Sequence, residues 1–195
     1  LPKGRLGDKR YALLKQIGLD VPDYTINDRK LILTNEELQI RLLLVKPSDV
    51  PIYVDHGVAD LGIVGKDVLN ESDAHVLELL DLGFGRCHFA LAAPEGFVDK
   101  PYQRLMVATK YLKTAKAYYR DQNREVDLIH LNGSVELAPL VGLSDVIIDV
   151  VETGQTLKEN HLVVLDEFSP ISARLIANHA NYRFKSERID AIVRR

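Results

Sequence analysis

Asp149-Val150-Val151-Glu152-Thr153-Gly154-Gln155-Thr156-Leu157 follows the apolar run Val146-Ile147-Ile148, and this junction organises the reading of the whole chain. The run is short, β-branched and bounded by Asp145 and Asp149, so it predicts a buried strand that leads straight into a loop. Thr153-Gly154-Gln155-Thr156 then offers two hydroxyls, a glycine able to take φ > 0 and a row of backbone N–H groups ahead of a helix start. Such a set suits a phosphate monoester, because N–H groups at a helix start present fixed partial positive charge without a bulky side chain. Asp149 and Glu152 add carboxylates that accept from sugar hydroxyls or hold a hydrated Mg²⁺; neither suits the phosphate itself. On spacing alone the stretch reads equally as a polar turn between strand and helix, with Thr156 as a cap.

Working outward, strand and helix patterns alternate along the chain. Tyr11, Leu14 and Ile17 share a helical face that Gly18 ends. Leu31-Ile32-Leu33 and the alternation of Ile40, Leu42 and Leu44 predict two strands, and Ser48 is a candidate N-cap for a helix that Gly57 closes. Ala59 to Val64 predicts a buried strand, with Gly65-Lys66-Asp67 at its end, where strands of open α/β sheets present ligand-binding groups. His75 to Leu80, Arg86 to Ala93, Leu105 to Ala108, Asp127 to Leu131 and His161 to Leu165 predict further strands. A charged helix is expected at 110–123 with Thr109 as its N-cap, and a terminal helix at 186–195. The alternation predicts an α/β fold with mixed, largely parallel sheets.

Gly57-Val58-Ala59-Asp60 ahead of one apolar strand echoes Gly142-Leu143-Ser144-Asp145 ahead of the other. The echo predicts two lobes of similar design facing across a cleft. Lobe I is expected at residues 1–86 with 167–195, and lobe II, carrying the Thr-Gly loop, at 87–166.

Composition narrows the function classes. With 195 residues, 46% hydrophobic and 27% charged, the chain has the balance of an ordinary soluble globular protein. A formal charge of −3 and no clustered basic stretch argue against nucleic acid as the main partner, so an anionic small ligand must be held by local Lys, Arg and N–H groups. A single cysteine, Cys87, rules out an intrachain disulfide and fits a reducing compartment. No apolar segment reaches bilayer length and Leu1-Pro2-Lys3-Gly4 lacks signal-peptide character, so the cytoplasm is expected. The six histidines show no metal-ligand spacing, and no Walker, G-x-S-x-G or G-x-G-x-x-G motif follows a strand.

Lys3-Gly4-Arg5 by itself is a solvated basic turn. Read in order with Arg29-Lys30-Leu31, Lys46-Pro47-Ser48-Asp49-Val50-Pro51, Ala59 to Asp67 and Asp149 to Leu157, it resembles the ATP phosphoribosyltransferase family, in its short form without a C-terminal regulatory domain. The Gly-Lys-Asp and Glu-Thr-Gly-x-Thr-Leu blocks carry the resemblance most specifically. It implies a bilobal fold similar to type II periplasmic binding proteins. It also implies transfer of phosphoribosyl from phosphoribosyl pyrophosphate to N1 of the adenine of ATP, releasing pyrophosphate, with Mg²⁺ carried by the substrate. A partner subunit similar to histidyl-tRNA synthetase and a homodimer within a larger hetero-oligomer are implied as well.

By the same resemblance, Asp149, Glu152, Thr153, Gly154, Gln155 and Thr156 would hold phosphoribosyl pyrophosphate, and Lys3, Gly4, Arg5, Lys66 and Asp67 would bind ATP in lobe I. Arg5, Arg29 and Lys46 would face the departing pyrophosphate, where preorganised cations stabilise the transition state. The family often carries arginine at the place of Lys46; lysine keeps the charge but not the bidentate geometry. Nucleobase phosphoribosyltransferases, a competing reading, place two adjacent acids before Thr-Gly, whereas here Val150-Val151 separates Asp149 from Glu152. A two-lobed sensor of an anionic metabolite would use the same anion site without turnover.

Overall fold

The computed structural model describes residues 7–19 and 30–194. In chain order the elements are α1 (Gly7–Gln16), β1 (Ile32–Asn35), β2 (Ile40–Leu43), a 3-10 turn (Pro47–Asp49), α2 (Val50–Asp55), β3 (Leu61–Gly65), α3 (Lys66–Glu71) and β4 (Val76–Asp81). They continue as β5 (Cys87–Pro94), β6 (Leu105–Thr109), α4 (Leu112–Asp121), β7 (Val126–His130), α5 (Leu137–Leu140), β8 (Val146–Val151), α6 (Gln155–Glu159), β9 (Leu162–Ile171), β10 (Ala173–Asn178) and α7 (His179–Val193). The chain separates into two compact units, one of Leu1–Gly85 with Ser172–Arg195 and a second of Arg86–Ile171.

The first unit holds the β1-β2 hairpin and a three-stranded sheet ordered β3-β10-β4, antiparallel throughout. β10 is the central strand although it comes last in the chain, and Ala173, Leu175, Ile176 and Ala177 are buried along it. Asn178 ends β10 and joins two helices. Its Oδ1 accepts from the Asn181 N–H, capping α7, while its Nδ2 donates to the Val54 and Asp55 carbonyls in the last turn of α2. The terminal helix thus starts at His179 rather than Ser186; Lys185 breaks its regularity at φ −123°, and Ser186 resumes the helix after that break.

The second unit is a five-stranded sheet ordered β7-β6-β8-β5-β9. Parallel pairing, expected for most of the sheet structure, is confined among the described residues to β7-β6 and β6-β8; every other pairing is antiparallel. The mixed α/β class stands, and the difference has a physical cause. β5 lies between β8 and β9 and runs opposite to both, so its two ladders are antiparallel although β8 and β9 themselves run the same way.

Ile147 and Ile148 point to opposite faces of this sheet, which is why the run has no polar alternation. Ile148 packs with Phe89, Val107, Ala115 and Tyr119 under α4. Ile147 packs with Ala90, Ala108, Val135, Ala138 and Leu157 under α5 and α6. The local echo holds in detail. Gly57 follows α2 at φ +69° and Gly142 follows α5 at φ +74°, each ahead of a buried strand.

Two predicted caps differ. Ser48 lies inside the 3-10 turn and bonds the Asp49 carboxylate instead of a helix N–H. Thr109 ends β6, and its buried Oγ1 accepts from the Tyr111 N–H at 2.9 Å, so the hydroxyl shapes the turn before α4.

Tyr118 on α4 stacks on Phe168 (ring centroids 4.2 Å) and donates to Asp166 Oδ2 at 2.7 Å. Burial first, then the Asp166 hydrogen bond, pushes its hydroxyl from 10.0 up to about 12. An unfolded tyrosine loses its proton near 10, so the folded chain holds the proton more tightly between the two values. The stabilisation is complete below about pH 10 and is lost as pH rises toward about 12. Tyr118→Phe is therefore expected to flatten the alkaline fall in denaturation midpoint; an unchanged slope would count against this assignment.

Candidate functional site

β8 continues three residues past its pairing with β6. The parallel ladder ends at Thr109 with Ile148, while Asp149, Val150 and Val151 go on pairing with Ala90, Phe89 and His88 of β5. Asp149 is thus a strand residue rather than the first residue of a loop, half-buried, with its Oδ1 accepting from the Val150 N–H at 2.8 Å. The loop proper is Glu152-Thr153-Gly154, exposed at Glu152 and Thr153.

Gly154 takes φ +72°, ψ 1° and is the N-cap of α6. A left-handed residue here reverses the chain out of the strand and into the helix, and glycine adopts it without a Cβ penalty. Thr153 Oγ1 accepts from the Gln155 N–H at 3.4 Å, and Lys158 N–H donates back to the Gly154 carbonyl at 3.0 Å. Gln155 Nε2 donates to Glu159 Oε1, and Asn160 Nδ2 to the Thr156 carbonyl, each at 2.8 Å. Val151 and Leu157, both buried, pin the two ends of the segment to the core. Between them the chain offers hydroxyls and first-turn N–H groups, which have no acceptor inside a helix. Thr156 is the second residue of α6 rather than its cap, and its side chain is exposed.

At the other glycine loop, Lys66 opens α3. Its N–H donates to the Ser172 carbonyl, and its Nζ lies 2.5 Å from Glu78 Oε2. Glu78 also meets Arg174, which in turn meets Asp81, whose Oδ1 accepts from Ser172 Oγ and the Gly83 N–H. Lys66 is thus one end of a chain of alternating charges across β3, β10 and β4. Asp67 folds back so that its Oδ1 occupies the space a Cβ on Gly65 would need. Lys46 is exposed, and its carbonyl accepts from the Asp49 N–H. Lys3, Gly4, Arg5 and Arg29 lie outside the described residues.

Glu78, Asp81 and Arg174 carry no motif that marks them in the sequence. They meet only because β10 enters the sheet between β3 and β4. A cavity of about 860 Å³ in the first unit is lined largely by leucine, isoleucine and valine side chains of α1, β2, β3 and α7, and none of the candidate residues among the described ones lines it. Among the described residues, no group of three or more His, Cys, Asp or Glu side chains is placed to hold a metal ion.

Residues 46–195 match the family model described as ATP phosphoribosyltransferase. The chain is 51% identical over 195 residues to an ATP phosphoribosyltransferase of Brachyspira hyodysenteriae, covering all of this chain and 95% of the relative. Among solved structures it is similar to the ATP phosphoribosyl transferase (HisG:HisZ) complex from Thermotoga maritima, with a TM-score of 0.84 and 36% identity over 99% of this chain and 92% of that one. It also resembles the arginine-bound form of truncated ArgBP from T. maritima, with a TM-score of 0.52 over 81% of this chain and 78% of that one. At 11% identity that likeness shows the fold alone, which is the periplasmic-binding-protein type.

Proposed function

We propose that this chain, which belongs to the ATP phosphoribosyltransferase family, binds phosphoribosyl pyrophosphate on the loop at the end of β8. It is a pentosyl transferase that joins N1 of the adenine of ATP to C1 of phosphoribosyl pyrophosphate, giving phosphoribosyl-ATP and pyrophosphate in the first step of histidine biosynthesis. The non-catalytic sensor reading gives way to that identity.

The observation that carries the placement is the Thr153-Gly154 turn, left-handed at Gly154 and pinned between two buried residues at a strand's carboxyl end. Thr153, Gly154, Gln155 and Thr156 supply hydroxyls and N–H groups to the 5-phosphate, while Asp149 and Glu152 accept from ribose hydroxyls. The carboxylate and hydroxyl oxygens suit a Mg²⁺ ion held mainly by substrate oxygens and water. When bound, that ion neutralises the pyrophosphate.

Lys3, Gly4, Arg5, Lys66 and Asp67 are assigned to ATP in the first unit, and Arg5, Arg29 and Lys46 to the leaving pyrophosphate. Adenine N1 is nucleophilic once aligned, so positioning takes the place of a strong general base. In that role the Glu78-Arg174-Asp81 chain holds Lys66 at the end of β3. The Thermotoga relative was solved as a complex of two kinds of subunit. We infer a similar assembly here, as a homodimer within a hetero-oligomer whose regulatory subunit resembles histidyl-tRNA synthetase. No helix among the described residues is long and apolar enough to cross a membrane; the cytoplasm is the proposed location.

The test follows product formation by ultraviolet absorbance, with pyrophosphatase present and the partner subunit added. Thr153→Ala removes a hydroxyl facing a charged group and is expected to raise KM for phosphoribosyl pyrophosphate by about tenfold or more, with KM for ATP little changed. Unaltered affinity for phosphoribosyl pyrophosphate would remove the loop from the site.

A further inference from the structure

The loop from Glu152 to Thr156 lies beside two carboxylates, Asp149 and Glu152, and has no cation of its own before Lys158 in the last turn of α6. A phosphate dianion held there by hydroxyls and N–H groups alone would sit in a locally negative field. The neighbouring strand supplies the missing charge. β6 is the middle member of the parallel set β7-β6-β8, and Thr109 pairs with His130 on one side and Ile148 on the other. Lys110 follows Thr109 directly, as Asp149 follows Ile148, so both residues leave the last rung of the ladder, where adjacent strands lie about 4.8 Å apart, at the same carboxyl end of the sheet. The four-carbon stem of lysine gives its ammonium room to reach across that end.

The backbone around Lys110 is fixed. Tyr111 N–H donates to the buried Thr109 Oγ1 at 2.9 Å, and Leu131 N–H donates to the Thr109 carbonyl at 3.0 Å. The side chain itself is exposed, with Nζ 5.9 Å from the Tyr111 ring centroid and no carboxylate partner among the described residues. Arg104, Arg120 and Arg124 of the same unit are each paired with an acid.

We propose that Lys110 is a binding residue for phosphoribosyl pyrophosphate, its ammonium neutralising the 5-phosphate held at Glu152–Thr156. The assignment rests on the reading of that loop given above. Lys110 lies outside the Thr-Gly motif and joins it only through the parallel register of β6 with β8.

The experiment measures dissociation constants of the full-length protein for phosphoribosyl pyrophosphate with Mg²⁺, and for ribose 5-phosphate, which shares the 5-phosphate but lacks the pyrophosphate. Lys110→Met is expected to weaken both by the same factor, about tenfold to a hundredfold, with ATP affinity unchanged and Lys110→Arg restoring most of the loss. Weakening confined to phosphoribosyl pyrophosphate would overturn the assignment to the 5-phosphate. If Lys110→Met leaves both affinities intact while Thr153→Ala weakens them, the Lys110 proposal falls and the loop stands. If neither variant changes either affinity, the loop reading falls and Lys110 with it. Lys110 is exposed, so thermal melts of the variants are expected to match wild type.

Discussion

Valine in place of Gly154 is expected to lower kcat/KM for phosphoribosyl pyrophosphate by about a hundredfold or more while the protein stays folded. A Cβ at this position would meet only Val151 Cγ1, at 4.0 Å, so there is room for a side chain. The obstacle is φ +72°, a region that costs a non-glycine residue about 1–2 kcal/mol, and a β-branched one more. Because Val151 and Leu157 are buried on either side, relaxation of that strain falls on Glu152 to Thr156. The N–H groups and hydroxyls assigned to the 5-phosphate would then leave their places together.

Gly142→Val is the matched control. Gly142 takes φ +74° with nothing within 4 Å of the added Cβ, so the strain is comparable, but the position follows α5 instead of preceding α6. Both variants are expected to lose a similar few degrees of Tm, and only Gly154→Val to lose affinity. Equal loss of affinity in the two would mean that strain anywhere in this unit disables the enzyme, and the loop would lose its special standing.

Phe89→Ala is expected to destabilise the second unit by about 3–5 kcal/mol, the range for removing a buried aromatic ring from a core. Phe89 is fully buried in the middle of β5, edge-on to Tyr111 at 5.0 Å and stacked on Phe168 at 5.8 Å. The space left by the ring is walled by Val107, Val146 and Ile148 of neighbouring strands, which backbone hydrogen bonds hold apart and which cannot close over it. For a chain of this length the Tm should fall by roughly 10 °C. Denaturant melts with an unchanged m-value would assign the loss to the native core. A cost under about 1 kcal/mol would show that the aromatic cluster repacks and is not a rigid centre.

How much was legible in the sequence depends on whether the signal was local. Val146-Ile147-Ile148 announced a strand buried on both faces because each face of a sheet needs its own apolar residues, and both are covered. Gly57 announced a helix end because left-handed backbone is cheap only for glycine, and Gly142, its counterpart in the echo, follows α5 in the same conformation. The Thr-Gly turn was legible for the same reason, with Gly154 left-handed ahead of α6. The caps misplaced at Ser48 and Thr109 were also local readings, defeated by one hydrogen bond each. Ser48 found Asp49, and Thr109 found Tyr111 across a turn that no periodicity marks.

The sequence by itself determined most of the elements and their order, β10 excepted, and the left-handed turn at Gly154, because these depend on residues within a few positions of one another. Only the tertiary structure decided that β10, the last strand, lies between β3 and β4, and that β5 lies between β8 and β9 and runs against both. It also carried Asp149 into the strand, set Glu78 against Lys66, and brought Thr109, which Lys110 follows, level with Ile148, which Asp149 follows. Strand partners are chosen by burial and backbone pairing between segments far apart in the chain, and an apolar run that suits one neighbour suits several. Charges placed by that choice acquire their partners only after the sheet has formed.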